Sequence, residues 1–432
     1  MEKLINIISK RFRDFEIWQE KKSIKLLEVS EGTKKDDYIS ALNLAVRVFE
    51  NGKKGFLHIS GNNFDEDLII DNIKFSLERS FSDDANILPE PDMDDGSYFG
   101  DKDKTIPDSS YVEQKIQTIS DASKSFKKLK KIERISASGE ETDIIFYNSK
   151  KGYLKQRYLK SSMGVVVVVE DRADEKIEWD YKVSENLESI DAVEILKKAY
   201  HRAVKLLNGT PIMSGRYNLF FDSRTSGEFL EVLAKSFIAE NVYKKKTIFE
   251  SGVKLSEKIN IVDNPVCTEG SLTYFFDGEG YKTEEKRVMK AGVITDYLYD
   301  SYYGRKLGKG SNGSSVRNKV SSPPVNSYTN IYIEPLKATK MDNYLNDLGQ
   351  VIVVVSLIGM HLVNPVTGEF SVGFDGYILE NGQFKKSVSN VSVSGNLKDF
   401  FKNIVEIGNN LEFYGNIGSP SLLVSDLVVS GI

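Results

Sequence analysis

Cysteine is almost missing: one residue in 432, Cys267, so neither an intramolecular disulfide nor a cysteine-rich zinc module can be assembled. Such usage points to a reducing, cytoplasmic setting. Histidine is nearly as scarce. His58, His201 and His361 are the only three, and no two stand at helical or turn spacing, whereas a catalytic zinc usually takes three protein ligands. Long apolar runs are also lacking: Val165–Val169 and Val351–Leu357 are far short of the ~20 residues of a membrane-spanning helix and read as buried strands. The N-terminal MEKLINIISKRF reads as an amphipathic helix and not as a secretion signal. An excess of positive charge is absent too, with 58 basic against 63 acidic residues and a net charge of -5, the wrong sign for a protein that lives on nucleic acid. The basic runs at Lys127–Lys131 and Lys244–Lys246 read as solvated faces. No phosphate-binding glycine loop or nucleophile elbow occurs, and Gly310–Ser315 reads as a mobile loop.

What is present suits a folded protein, with 40% apolar and 11% aromatic residues in a length that favours two domains. The first 85 or so residues give a helix, extended segments with a hairpin signal at Asn51-Gly52, and a helix from Asp65 to Phe81. The stretch NILPEPDMDDGSYFGDKDKTIPDSS has the composition of a surface loop or linker. The same order then recurs. A helix runs from about Tyr111 to Leu129, strands lie around Thr142–Tyr147, Gly152–Leu159 and Val165–Val169, and a helix covers Ala192 to Leu207, as if a helix–meander–helix unit were duplicated. A break at Asn208-Gly209-Thr210-Pro211 divides the chain into domains 1–208 and 209–432. Beyond it come the strand-like RYNLFFD, a helical stretch, many strands and turns, and helices expected at about Lys340–Leu348 and Leu397–Ile407. Strands without regular helical crossovers make the fold class α+β, with a strand-rich C-terminal domain.

Three blocks carry a resemblance. FFDGEGYKTEEKRVMKAGVITDYLYDSYYGRKLG (Phe275–Gly308), GMHLVNPVTGEFSVGFDGYILENGQF (Gly359–Phe384) and VSVSGNLKDFFKNIVEIGNN (Val391–Asn410) occur in an order and spacing that resemble the TldD/PmbA peptidase family. In the TldD branch the resemblance implies a metallopeptidase with a His-Glu-x-x-x-His helix and a C-terminal cysteine ligand. Here the corresponding stretch, Ser223–Phe249, has no histidine, and Leu411–Leu427 has no cysteine. When KKKTIF is matched to the family's segment after that helix, Val232 and Ser236 fall where the two histidines would be.

The resemblance therefore implies a metal-free TldE/PmbA-like subunit of a TldD/TldE-type metallopeptidase acting on short or unfolded peptides. It implies no cofactor in this chain, zinc in a TldD-like partner, and a homodimer when that partner is missing. A metal-free subunit can still hold substrate backbone along a strand edge, and Gly359, His361, Gly373, Gly395 and Asn396 are the candidates for lining such a groove. Two other readings stay open: a stand-alone hydrolase with an unrecognised site, and a homodimeric peptide-binding or scaffold protein. Asp277 and Glu279 offer paired carboxylates for the former, but Asp-Gly-Glu-Gly is first a tight turn. Cys267 reads as a small buried residue.

Overall fold

The structure is a computed structural model that describes residues 1–92, 97–99, 106–249, 253–338 and 341–432. Helix α1 (Glu2–Ser9) buries Leu4, Ile7 and Ile8 from one face, as three-to-four spacing dictates. Strands β1 (Asp14–Ser30), β2 (Thr33–Glu50) and β3 (Lys53–Ser60) form a meander. Its second turn puts Asn51 and Gly52 both at positive φ, the geometry for which that dipeptide is suited. Helix α2 (Glu66–Arg79) starts where Asp65 accepts from the backbone N–H of Leu68 at 3.1 Å.

After β4 (Ser97–Phe99) the order repeats: α3 (Ser109–Ser123), a meander of β5 (Leu129–Asn148), β6 (Gly152–Asp171) and β7 (Asp174–Ser184), then α4 (Ala192–Leu206). The two meanders meet through their first strands, β1 antiparallel to β5 from Glu16 opposite Asn148 to Ser30 opposite Arg134, in one seven-stranded sheet. Among the described residues β7 pairs with β6 alone, as the edge strand of the sheet.

Several expectations are corrected. The apolar rhythm that carried the third helix to Leu129 stops at Ser123, and Leu129 instead opens β5. Gly152–Leu159 and Val165–Val169 belong to one twenty-residue strand. The intervening polar residues do not break it, because Lys160 is buried with its ammonium on the carbonyl of Gly270 and Ser162 pairs with Ser138. The supposed surface loop is packed at Leu88. It also contributes β4, parallel to β6, while 93–96 and 100–105 lie outside the described residues. Gly310–Ser315 is held down rather than loose: the Asn312 side chain accepts from the N–H of Tyr299 and donates to the carbonyl of Tyr297, and Ser314 and Ser315 are buried. The helix Met341–Asp347 follows the expected position, although Lys340 is outside the described residues. The last helix ends at Lys402, and Ile404–Ile407 is a strand.

The C-terminal half is strand-rich and built on two sheets. In the first, the order is 383–396, 369–380, 350–358, β8 (Gly215–Phe221), 422–430 and 404–407, and the first strand also pairs with 422–430, so that five strands close on themselves. The second runs 293–294, 286–290, 261–263, 331–333, 417–419 and 412–414. Helix α5 (Ser223–Ala234) leaves the end of β8 and packs between these sheets, burying Phe229, Leu230 and Leu233 in the main core with Phe221 and Phe400.

Candidate functional site

Helix α5 begins at Asp222, whose carboxylate accepts from the N–H and hydroxyl of Thr225 at 2.9 Å each and also takes Arg202 at 3.0 Å. Two residues on, Arg224 is buried. Its guanidinium reaches Glu178 of β7 at 2.8 Å, the carbonyl of Trp179 at 3.1 Å and the carbonyl of Val355 at 2.7 Å, and lies 4.7 Å from the centre of the Trp179 ring. One side chain thereby ties the α5 helix, the edge strand β7 and the strand 350–358 together.

That last strand changes character along its length. Ile352–Val354 pair with β8 on one side, but this pairing ends as β8 turns into α5; Val355 falls at a bulge, and among the described residues Ser356–Ile358 pair with 373–375 of the neighbouring strand alone. Beside the open edge is a cavity of ≈ 280 Å³ lined by Trp179, Arg224, Gly227, Glu228, Glu231, Ser356, Leu357, Tyr414 and Ile417. Trp179 is 41% exposed at its mouth, and Tyr414 stands edge-on to it at 6.1 Å. Glu228 is half-buried in the wall and has neither a hydrogen bond nor an ion pair among the described residues. Burial pushes its carboxyl up to about 7; Arg224 opposes this, while Asp222, Glu231 and Glu178 add to it. A carboxyl poised there changes charge around neutral pH and can either accept or donate a hydrogen bond.

A larger cavity of ≈ 720 Å³ between α4, β7 and the second sheet is lined by groups of both signs, with Cys267 at one wall. Burial pushes that thiol up to about 11, with Glu269 beside it, so the nucleophilic thiolate is scarce near neutral pH.

The candidates named from the sequence are dispersed. Gly359 takes a left-handed conformation (φ 90) at the start of the turn that carries the exposed His361, and Gly373 pairs with Ile358, so these three sit together where the open strand ends. Gly395 stands opposite Phe370, and Asn396 caps the helix Leu397–Lys402 through the N–H of Lys398 at 2.9 Å while donating to the carbonyl of Thr367. His58 bonds to Asn43 on β2, and His201 packs against Phe126 and Tyr200. Asp277 makes a turn: its carboxylate accepts from the N–H groups of Glu279, Tyr281 and Ser315.

The donor set does not suit a metal of the kind the resemblance implies for TldD. Val232 and Ser236 are buried, α5 offers only Glu228 and Glu231 to the cavity, and among the described residues no three His, Cys, Asp or Glu side chains are grouped to hold an ion. Trp179, Arg224, Glu228 and Tyr414 were not singled out from sequence. The alternating IEWDYKV of β7 was the available signal for Trp179, and Glu228 and Glu231 stand at i,i+3 on the very helix the resemblance marks.

Residues 214–431 match the model of the PmbA/TldA metallopeptidase C-terminal domain, and residues 106–207 that of its central domain. The chain belongs to the PmbA/TldD family. It is 29% identical over 293 residues to the metalloprotease PmbA homolog of Buchnera aphidicola from Acyrthosiphon pisum, covering 66% of this chain and 63% of that one. To metalloprotease PmbA of Escherichia coli O157:H7 it is 26% identical over 297 residues, 66% and 62%. The match thus spans rather less than two thirds of the length of these PmbA/TldD relatives. An uncharacterised protein of Methanocaldococcus jannaschii matches end to end at 26% identity over 442 residues. In fold, the chain is similar to a crystal structure named a modulator of a DNA gyrase from Thermotoga maritima (TM-score 0.87, 20% identity, 99% of each chain). It is equally similar to TldE from Thermococcus kodakarensis (TM-score 0.87, 19% identity, 100% of each). Among the described residues no helix is long and apolar enough to cross a membrane.

Proposed function

We propose that this chain is the metal-free, TldE/PmbA-like subunit of a TldD/TldE-type metallopeptidase, and that it holds the backbone of short or unfolded peptides while a TldD-like partner supplies zinc. The observation that carries the reading is the α5 region. Where the resemblance puts a His-Glu-x-x-x-His helix in the TldD branch, this helix has no histidine, yet it still floors a cavity beside the open strand edge Ser356–Ile358. In such an assembly a partner-bound zinc would supply activated water, and this chain's share is binding and orientation. An extended peptide can add to an open edge through main-chain hydrogen bonds, which accept many sequences. Arg224 fixes the position of that edge by holding the carbonyl of Val355.

The test is co-expression with a TldD-like relative from the same genome, co-purification, and cleavage of an unstructured peptide. Cleavage is expected only from the pair and is lost with chelator. Chelator-resistant cleavage by this chain alone, persisting through repurification, would overturn the reading.

A further inference from the structure

We propose that the α5 cavity takes the cationic side chain of an extended peptide, a lysine or arginine, so that this chain favours peptides with a basic residue at one position. The inference rests on the peptide-holding role proposed above and names what that role selects.

Three features of the cavity converge on a cation. Among the described residues the strand edge Ser356–Ile358 is unpaired on the side facing α5, so a peptide laid against it places a side chain toward the ≈ 280 Å³ cavity, where Gly227 adds no side chain to the wall beside Glu228. The walls at the mouth, Trp179 and Tyr414, are aromatic; Arg224 at 4.7 Å and Arg202 at 5.8 Å already lie over these rings, so what they offer an incoming lysine or arginine is apolar contact along its methylene stem. The charge is negative in sum: among the described residues the one cation lining the cavity, Arg224, is already neutralised by Glu178 at 2.8 Å, which leaves Glu228 and Glu231 uncompensated. A bound carboxylate would meet those two acids, and a bound apolar side chain would leave Glu228 buried without a partner.

The cavity is also expected to respond to pH. The charged groups around Glu228 are Asp222, Arg224 and Glu231 on its own helix and Glu178 on β7, with the Tyr414 phenol and Ser356 hydroxyl among the neutral polar ones lining the space. A cation binds the ionised carboxylate best, so affinity for a basic peptide rises as pH rises through about 7, where Glu228 gives up its proton.

The protein carries its own probe. Of its two tryptophans, Trp18 is buried at 1% exposure and Trp179 stands at the cavity mouth. Titration of the full chain with an unstructured peptide carrying one lysine, against the same peptide with norleucine or glutamate there, is read by tryptophan emission with Trp179→Phe as the blank and by calorimetry. The lysine peptide is expected to bind about fivefold tighter than the norleucine one at pH 8, with less preference at pH 6. Glu228→Gln, of the same shape, is expected to erase the preference for lysine over norleucine and its dependence on pH. Equal affinities in the native chain, no binding of any peptide, or a preference that survives Glu228→Gln would each overturn the inference. The outcomes separate the two proposals: lysine-selective binding with no TldD-like partner captured sinks the subunit reading alone. A chelator-sensitive pair whose chain shows no selectivity sinks this one alone.

Discussion

At the scale of single residues, the buried charges between the two halves govern stability. Arg47 of β2 lies fully between Glu16 at 2.7 Å and Glu279 at 3.2 Å, and Arg317 joins Glu16 at 3.4 Å. Removing the central cation leaves two carboxylates buried without it, so Arg47→Met is expected to cost about 3–5 kcal/mol in urea unfolding. A loss under 1 kcal/mol would mean that water reaches the cluster. Asp300 lies nearby, buried, and accepts from the N–H of Tyr303 at 2.7 Å. Burial, with Glu279 adding, pushes its carboxyl up to about 7. Since the folded state holds this proton more tightly than the unfolded chain, the stabilisation is complete below the unfolded value near 4 and is lost as pH rises through about 7. Asp277, pushed up to about 8, adds a slope of the same sign. Asp300 caps the helix Ser301–Lys306; Asp300→Asn keeps that cap and cannot titrate, so between pH 5 and 8 it should lose about 2 kcal/mol less stability than the native chain. Parallel pH profiles for the two proteins would count against this account.

At the scale of elements, the fold could be read wherever local chemistry decides it. The hairpin at Asn51-Gly52, the start of α2 at Asp65 and the repeated helix–meander–helix order were visible because turns, helix starts and periodicity act over a few residues. What escaped was set by distant partners. Lys160 is tolerated inside a long strand because the carbonyl of Gly270, more than a hundred residues on, receives it. The open edge Ser356–Ile358 exists because a parallel neighbour stops at Phe221, and no pattern within IVVVSLI announces that. Site residues from both halves, Trp179 and Glu228 among them, meet only through tertiary packing. Strand packing also separates two glycines of one strand. A Cβ on Gly376 would lie 2.1 Å from the carbonyl oxygen of Val353, an atom fixed in the sheet, whereas one on Gly373 would meet nothing closer than 3.4 Å. Thermal unfolding should therefore show Gly376→Ala destabilised by about 3 kcal/mol or more and Gly373→Ala within about 0.5 kcal/mol of the native chain. If Gly373→Ala folds normally but weakens peptide binding, Gly373 gains the groove role read from the sequence.

At the scale of the whole molecule, a break in the sequence near Asn208 does not make two independent bodies. The Trp18 ring of β1 stands 5.9 Å from Phe276, within an apolar cluster that takes Ile144 and Phe146 from one half and Phe276 and Val320 from the other. Polar ties run beside it. Tyr302 donates to Asp83 at 3.1 Å, Arg305 to the carbonyl of Ala85 at 2.9 Å, and Arg202 to the Tyr414 hydroxyl at 3.0 Å. Opening this interface would uncover Trp18 and Phe146, strip the Arg47–Glu16 cluster of Glu279, and dismantle the α5 cavity, since Trp179 and Glu228 come from opposite sides. The halves are therefore expected to unfold together, with Trp18 emission in a Trp179→Phe chain and far-ultraviolet circular dichroism giving the same urea midpoint. Residues 1–208 expressed alone should be poorly soluble or lack near-ultraviolet dichroism, because the face that packs on Phe276 and Val320 is left in water. Two separated transitions, or a 1–208 fragment as stable as the full chain, would show that each half carries its own stability and that the shared site is assembled by docking rather than by folding.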